Sequence, residues 1–180
     1  TIADGLQLTS FRGDFDTTGG FAGDFTGLFN GQAGIAGSVL PLRGRSAVRI
    51  RSDDAGTVLR AGKFLDGASG GSLDLTLVPA GKKGTFDGTL ALRQLRVRDA
   101  PAIAELLDAI SVVGLLQQLD GQGLAFDEVD AQFRLTPSQI VVTQSSAVGL
   151  GLGISLDGIY TLGSRAVDFQ GVVSPFYLLN

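Results

Sequence analysis

Apolar and polar residues alternate along much of this chain with a period of two, the signature of strands that bury one face and wet the other. Leu73, Leu75 and Leu77 alternate with Ser72, Asp74 and Thr76, and Val129, Ala131, Phe133 and Leu135 with Asp130, Gln132 and Arg134. The most extreme case is GLGLGISL at 149–156, which sets Leu150, Leu152, Ile154 and Leu156 on one side and Gly149, Gly151, Gly153 and Ser155 on the other. Such a segment must press its branched face against something apolar, while its reverse stays thin and easily bent. Turn signals recur about every 8 to 12 positions, the spacing of antiparallel strands with short connections. The pattern predicts strands near 5–12, 21–29, 32–40, 45–52, 72–78, 85–97, 124–135, 139–148, 150–156, 158–162 and 166–173. Asp157-Gly158 reads as a two-residue hairpin turn and Gly163-Ser164-Arg165 as a longer one, so the last five strands are expected to form a meander.

Two stretches break this alternation and read as helix. Residues 100–118 follow Asp99, a good N-cap, with Pro101 in the first turn and Glu105 near the positive end of the dipole. Ile103, Leu106, Leu107, Ile110, Val113 and Leu116 have helical spacing there, and Asp120-Gly121 ends the run. The stripe Ile103, Leu107, Ile110 suits packing on the sheet better than a membrane surface, because the polar side carries Glu105 and Asp108 and no basic residue. A shorter helix runs from about Asp54 to Ala61, with Val58 and Leu59 inward and Gly62 as its stop. Gly70-Gly71 then turns the chain into the next strand.

The expected fold is mainly β with one long and one short helix, built on a curved, largely antiparallel sheet. About ten strands at about 4.8 Å spacing make a sheet roughly 45 to 50 Å wide, whereas a helix of about 19 residues is near 28 Å long. One helix does not cover that surface. The sheet folds into a dry sandwich or barrel, is covered by neighbouring modules, or curls into a trough filled by an apolar ligand. Periodicity alone does not choose among these. The inward sets contain no charge, which suits acyl chains and suits any dry core equally.

Composition narrows the chemistry. With 14 basic and 18 acidic residues the net charge is −4, which argues against nucleic acid as a partner. The chain has no Cys and no His, so disulfides, thiolate chemistry and histidine-assisted nucleophiles are excluded. A Ser-Lys pair would have to use Lys63, Lys82 or Lys83, all beside turn glycines. Asp14, Asp16 and Asp24 with GGFAGDFTG faintly resemble a glycine-aspartate calcium repeat, present once and without a stacking copy. Arg43, Arg45, Arg49 and Arg51 alternate near one strand and Arg93, Arg96 and Arg98 precede the long helix. Such rows either hold phosphates or form the wet face of a strand. The 27 glycines read as turns and bends, and the 11 phenylalanines as packing residues. No run of eighteen apolar residues is present. The chain starts at Thr1 without Met and stops at Phe176, Tyr177, Leu178, Leu179, Asn180; it reads as a piece of a longer protein.

The order of parts carries a resemblance. A short helix ending VLRAGKF, the pair Gly70-Gly71, a strand, the GTFDGTLAL strand, the helix beginning RDAPAIAELLDAIS, then GQGLAFDEVDAQFRL and a closing GVVSPFYLLN resemble the C-terminal region of AsmA-like (also TamB-like) proteins of Gram-negative envelopes. The likeness covers roughly 54–180, and 1–53 fits the end of the repetitive β region that precedes it, as one continuous sheet. It implies a periplasmic module of a protein anchored in the inner membrane through an N-terminal segment absent here. It further implies a taco-like trough or half-barrel that carries phospholipid towards the outer membrane, other envelope proteins as partners, no cofactor and no catalytic signature. The expected activity is therefore lipid binding and transfer and not an enzymatic one; the competing reading is a structural scaffold with a dry core. On the lipid reading the apolar lining comprises Leu73, Leu75, Leu77, Leu90, Leu92, Phe126, Phe133, Leu150, Leu152, Ile154 and Leu156, with Arg49 and Arg51 as headgroup contacts. Asp in place of Leu152 or Ile154 is expected to stop acyl-chain loading while the sheet still folds.

Overall fold

Connections of two to six residues leave most strands no choice but to pair with the strand before them. The computed structural model of the chain describes residues 7–99, 104, 121–149, 151–164 and 166–175. The elements are β1 (Leu8–Asp16), β2 (Ala22–Phe29), β3 (Ala33–Leu42), β4 (Arg45–Ser52), α1 (Ala55–Ala61), the two-residue β5 (Ala68–Ser69), β6 (Ser72–Pro79), β7 (Phe86–Val97), β8 (Leu124–Leu135), β9 (Gln139–Gly149), β10 (Leu152–Thr161) and β11 (Val167–Pro175). They form a single sheet in the order β1-β2-β3-β4-β6-β7-β8-β9-β10-β11, with β5 on β7, and every pairing is antiparallel. The mainly-β, largely antiparallel expectation therefore holds. Among the described residues α1 is the one helix; the expected long helix at 100–118 lies outside them, except Ala104, which is helical and packs against the core.

The short helix forms for reasons readable in its flanks. Asp54 is its N-cap: its carboxylate accepts from the Thr57 amide at 3.0 Å and from the Thr57 hydroxyl at 2.6 Å. The first-turn amides of Ala55 and Gly56 donate to the carbonyls of Gly71 and Gly70, both at 2.8 Å. Those two glycines have φ of +75° and +63°, a conformation costly for other residues, and this aims their carbonyls at the helix. The hydroxyl of Thr57, followed by its amide, holds the Asp54 carboxyl below its ordinary range. Asp54→Ala is expected to cost about 1 kcal/mol. Because the folded value is depressed, the cap's contribution is present above the ordinary carboxylate range and is lost as pH falls through the lowered value. Urea unfolding of both chains at neutral and acidic pH checks this: the difference should shrink in acid.

The sheet departs from the expected meander at one place. Asp157-Gly158 is not a turn; it lies inside β10, and four strands, not five, make up the C-terminal run. Between the pairs Ile154↔Ala147 and Gly158↔Val142, β9 accommodates one extra residue, a β-bulge that bends the pair. The Ser145 hydroxyl fills the gap, donating to the Leu156 carbonyl at 2.6 Å and accepting from the Leu156 amide at 3.1 Å. Similarly, β10 begins at Leu152, paired with Gly149, so the strand expected at 150–156 is shorter at its start; Leu150 lies outside the described residues.

Many glycines are strand residues, and this corrects their reading as turns. Gly37 of β3 faces Phe25 of β2, whose ring lies where a Cβ would stand, 2.2 Å from its ideal position; Gly88 of β7 and Phe133 of β8 repeat the arrangement at the same distance. Bulky rings thus lie flat across the bare backbone of the neighbouring strand.

Candidate functional site

Register partners in antiparallel strands share a face, so the two faces can be traced strand by strand. One row runs Phe15, Gly23, Val39, Val48, Leu77, Gly88, Phe133, Val142, Gly158, Phe169 from edge to edge of the sheet. It crosses all ten long strands without a single polar side chain, over about 43 Å at 4.8 Å per spacing. Beside it lies Ile50, Leu75, Leu90, Ala131, and beyond that Leu73, Leu92, Val129, Ala147, Ile154, Val173.

This apolar face divides into two zones. Nearest α1 it is closed: Leu73, Leu92, Phe126, Leu152 and Ile154 are buried in one core cluster with Ala55, Leu95, Val97 and Leu124, and with Val58, Leu59 and Leu65 of the helical segment packed on it. These five of the expected lining residues are core, with Leu152 only 2 % exposed. Phe126 joins them because the alternation slips by one residue where Gln94 takes φ of +56° on β7, opposite Asp127 on β8. Leu75, Leu90 and Leu156 are half-buried and pack against that cluster, and farther from it Leu77 and Phe133 are half-buried and keep part of their surface open.

The reverse face carries the charges, interspersed with exposed apolar residues such as Leu40, Val78, Val148, Ile159 and Val172. Its matching row reads Ser38, Arg49, Thr76, Thr89, Gln132, Gln144. Cross-strand ion pairs tie it together: Arg93 with Asp130 at 3.0 Å, Arg134 with Asp87 at 2.8 Å, and Arg49 with Asp74, on which its Nε sits at 2.9 and 3.1 Å from the two oxygens. The Arg49 hydrogen bond holds the Asp74 carboxyl below its ordinary range. Arg49 and Arg51 therefore lie on the face opposite the apolar rows, and a phosphate at Arg49 would have to displace Asp74. A shallow cleft of about 710 Å³ lies on this polar side, lined by Arg49, Asp74, Thr89, Asp130, Gln132 and Gln144 among others.

The remaining candidates are not brought together into a site. Asp14 and Asp24 are register partners in β1 and β2, while Asp16 accepts from the Thr18 hydroxyl at 2.6 Å and amide at 2.7 Å, which lowers its pKa. Among the described residues no three carboxylates cluster as metal ligands. Lys82 and Lys83 are exposed in the β6–β7 connection, where Arg45 donates to the carbonyls of Gly81 and Thr85 at 3.1 and 3.0 Å; Lys63 is exposed in the turn after α1. No helix among the described residues is long and apolar enough to cross a membrane. Sequence reasoning turned Val48 and Ile50 inward and missed Phe15, Val39, Val142 and Phe169 as members of the apolar row; the available signal was the recurrence of Phe and Gly two residues apart, as in Gly13-Asp14-Phe15, Gly23-Asp24-Phe25 and Phe169-Gln170-Gly171.

Compared with known proteins, the chain matches no family profile, no curated protein and no solved structure.

Proposed function

We propose that the chain is a non-enzymatic acyl-chain-binding module, a segment of an AsmA-like phospholipid-transfer protein of the periplasm, with the half-open zone of the apolar face as its groove. The observation that carries this reading is the uninterrupted apolar row from Phe15 to Phe169. A dry core needs apolar surface only where protein covers it, whereas this row reaches both edges of the sheet and, apart from the buried Val39 and Gly88, keeps part of its surface open. Its direction, across the strands, would let hydrocarbon slide from one edge to the other without meeting a polar group that requires a partner.

Curvature supports a trough. Asn30, in the β2–β3 turn, donates to the Ala61 carbonyl at 2.6 Å, and Phe64 stands 6.4 Å from the Tyr160 ring on β10. A flat sheet would hold β2 and β10 about 34 Å apart, yet Ala61 and Phe64, three residues apart, span at most about 11 Å. Both contacts fit a sheet that curls around its apolar face, with α1 and its following loop on the concave side. Headgroups would then sit in solvent at the rim, and Arg49 and Arg51 drop out as their contacts.

Native mass spectrometry of the chain purified from cells tests the reading. Phospholipid is expected to co-purify and to be released by organic solvent; a protein free of lipid that also takes up none from vesicles of phosphatidylethanolamine and phosphatidylglycerol overturns it in favour of the scaffold.

A further inference from the structure

Unopposed positive charge gathers at one end of the sheet. Strands β4 and β6 are neighbours in its interior, which sets the β3–β4 hairpin turn beside the β6–β7 connection. The hairpin turn is Arg43-Gly44, with φ of +51° and +76°, and Leu42 pairs with Arg45 across it. The connection is Gly81-Lys82-Lys83-Gly84, closed by the Ala80 amide donating to the Thr85 carbonyl at 3.0 Å. Arg45 ties the two together through the carbonyls of Gly81 and Thr85, partners that fix its guanidinium without neutralising it. Among the described residues Arg43, Arg45, Lys82 and Lys83 have no carboxylate within ion-pair distance, whereas Arg49, Arg93 and Arg134 each have one. Asp87, two residues after Thr85, is taken by Arg134 at 2.8 Å. The β1–β2 connection lies on the same side, where the Ser46 hydroxyl donates to the Phe21 carbonyl at 3.4 Å; its bordering acid, Asp16, accepts from Thr18. A chain of net charge −4 thus places four of its 14 basic residues in two adjacent turns. Exposed apolar side chains stand among them, with Leu42 38 % and Phe21 47 % exposed.

We propose that this end of the sheet docks, turns first, on a bilayer surface rich in anionic phospholipid. Charge complementarity selects that partner. Each Lys or Arg close to such a surface contributes about fivefold in affinity. The attraction fades within about 8 Å at physiological ionic strength, so a flat surface meeting the turns feels the four cations and little of the acidic remainder. An extended polyanion such as RNA would run past the turns onto that remainder and be repelled. It would also leave Leu42 and Phe21 in water, whereas the boundary between headgroups and acyl chains buries apolar side chains that flank basic ones. The inference stands apart from the acyl-chain groove, since it uses the charged connections and not the open apolar row.

Co-sedimentation with vesicles tests the proposal. The chain is expected to bind vesicles of phosphatidylcholine and phosphatidylglycerol in equal parts, to leave pure phosphatidylcholine vesicles unbound, and to dissociate as salt rises from about 0.05 M to about 0.5 M. Lys82→Gln with Lys83→Gln should weaken binding about 25-fold, about fivefold for each charge removed. Arg12→Gln with Lys63→Gln removes the same charge from exposed positions outside these turns and should leave binding within about twofold. All four substitutions are at exposed side chains, and circular dichroism checks the fold. Equal binding to the two kinds of vesicle, binding indifferent to salt, or an equal loss in the two double variants overturns the inference. Binding to polyuridine RNA as tight as to the anionic vesicles also overturns it, in favour of a general polyanion site. Amide exchange supplies an independent reading: anionic vesicles should protect residues 42–45 and 80–85, and protection confined to other parts of the sheet overturns docking by the turns.

Discussion

Leu152→Ala is expected to lower the stability of the sheet by about 2–5 kcal/mol, the range for deleting a fully buried leucine, read as a fall in the urea midpoint at unchanged slope. Leu152 opens β10 directly after the β9 connection and sits 2 % exposed in the cluster with Leu73, Leu92, Leu95 and Phe126. Its neighbours are held by the ladders of β7, β8 and β9 and have little freedom to collapse into the space it leaves. Asp at Leu152 or at Ile154 should abolish folding outright, because an unpaired carboxylate would be placed in the driest part of the molecule. A folded Ile154→Asp chain that merely loses lipid would show that this zone is groove and not core. The position of these two residues also revises the expectation that Asp there spares the fold.

The second large effect is on ligand. Leu77 and Phe133 lie on the same edge-to-edge row in the half-open zone, one on β6 and one on β8, with Gly88 between them in register. Leu77→Asp with Phe133→Asp should leave a folded sheet, since both side chains already keep part of their surface in water. Each buried methylene of an acyl chain contributes about 0.8 kcal/mol, and a carboxylate in the path forces several of them away and must itself be desolvated. The loss of co-purified phospholipid is expected to be about tenfold or more, about 1.4 kcal/mol or above. Undiminished lipid in the folded double variant would remove the half-open zone as the groove. Undiminished lipid in Arg49→Gln is, by contrast, the expected result, because that guanidinium faces the other way and is bound to Asp74.

The elements near α1 show why local structure was legible. Asp54 as N-cap, Gly62 as stop and Gly70-Gly71 as a turn are choices made by the backbone within a few residues, and alternation such as Leu73, Leu75, Leu77 fixes a strand whatever lies beside it. Asp157-Gly158 shows the opposite case. The dipeptide favours a hairpin in isolation, but the Ser145 hydroxyl on β9 replaces the missing backbone pairing and β10 continues straight through. Glycine likewise carried a double meaning. Gly37 and Gly88 are bare so that Phe25 and Phe133 can lie across them, and that requirement arises in the neighbouring strand, twelve residues away for Gly37 and forty-five for Gly88.

By itself the sequence determined which residues turn the same way along each strand, because a pleated backbone alternates its side chains regardless of what it meets. It thereby set an apolar side and a polar side for nearly every strand and placed the charges on the latter. Only the tertiary structure decided how those sides line up into rows, which part of the apolar side α1 seals around Leu152, and which part stays open around Leu77 and Phe133. Those outcomes depend on register and on contacts between segments distant in the chain, such as Phe64 after α1 with Tyr160 of β10, about which the pattern within a single strand carries no information.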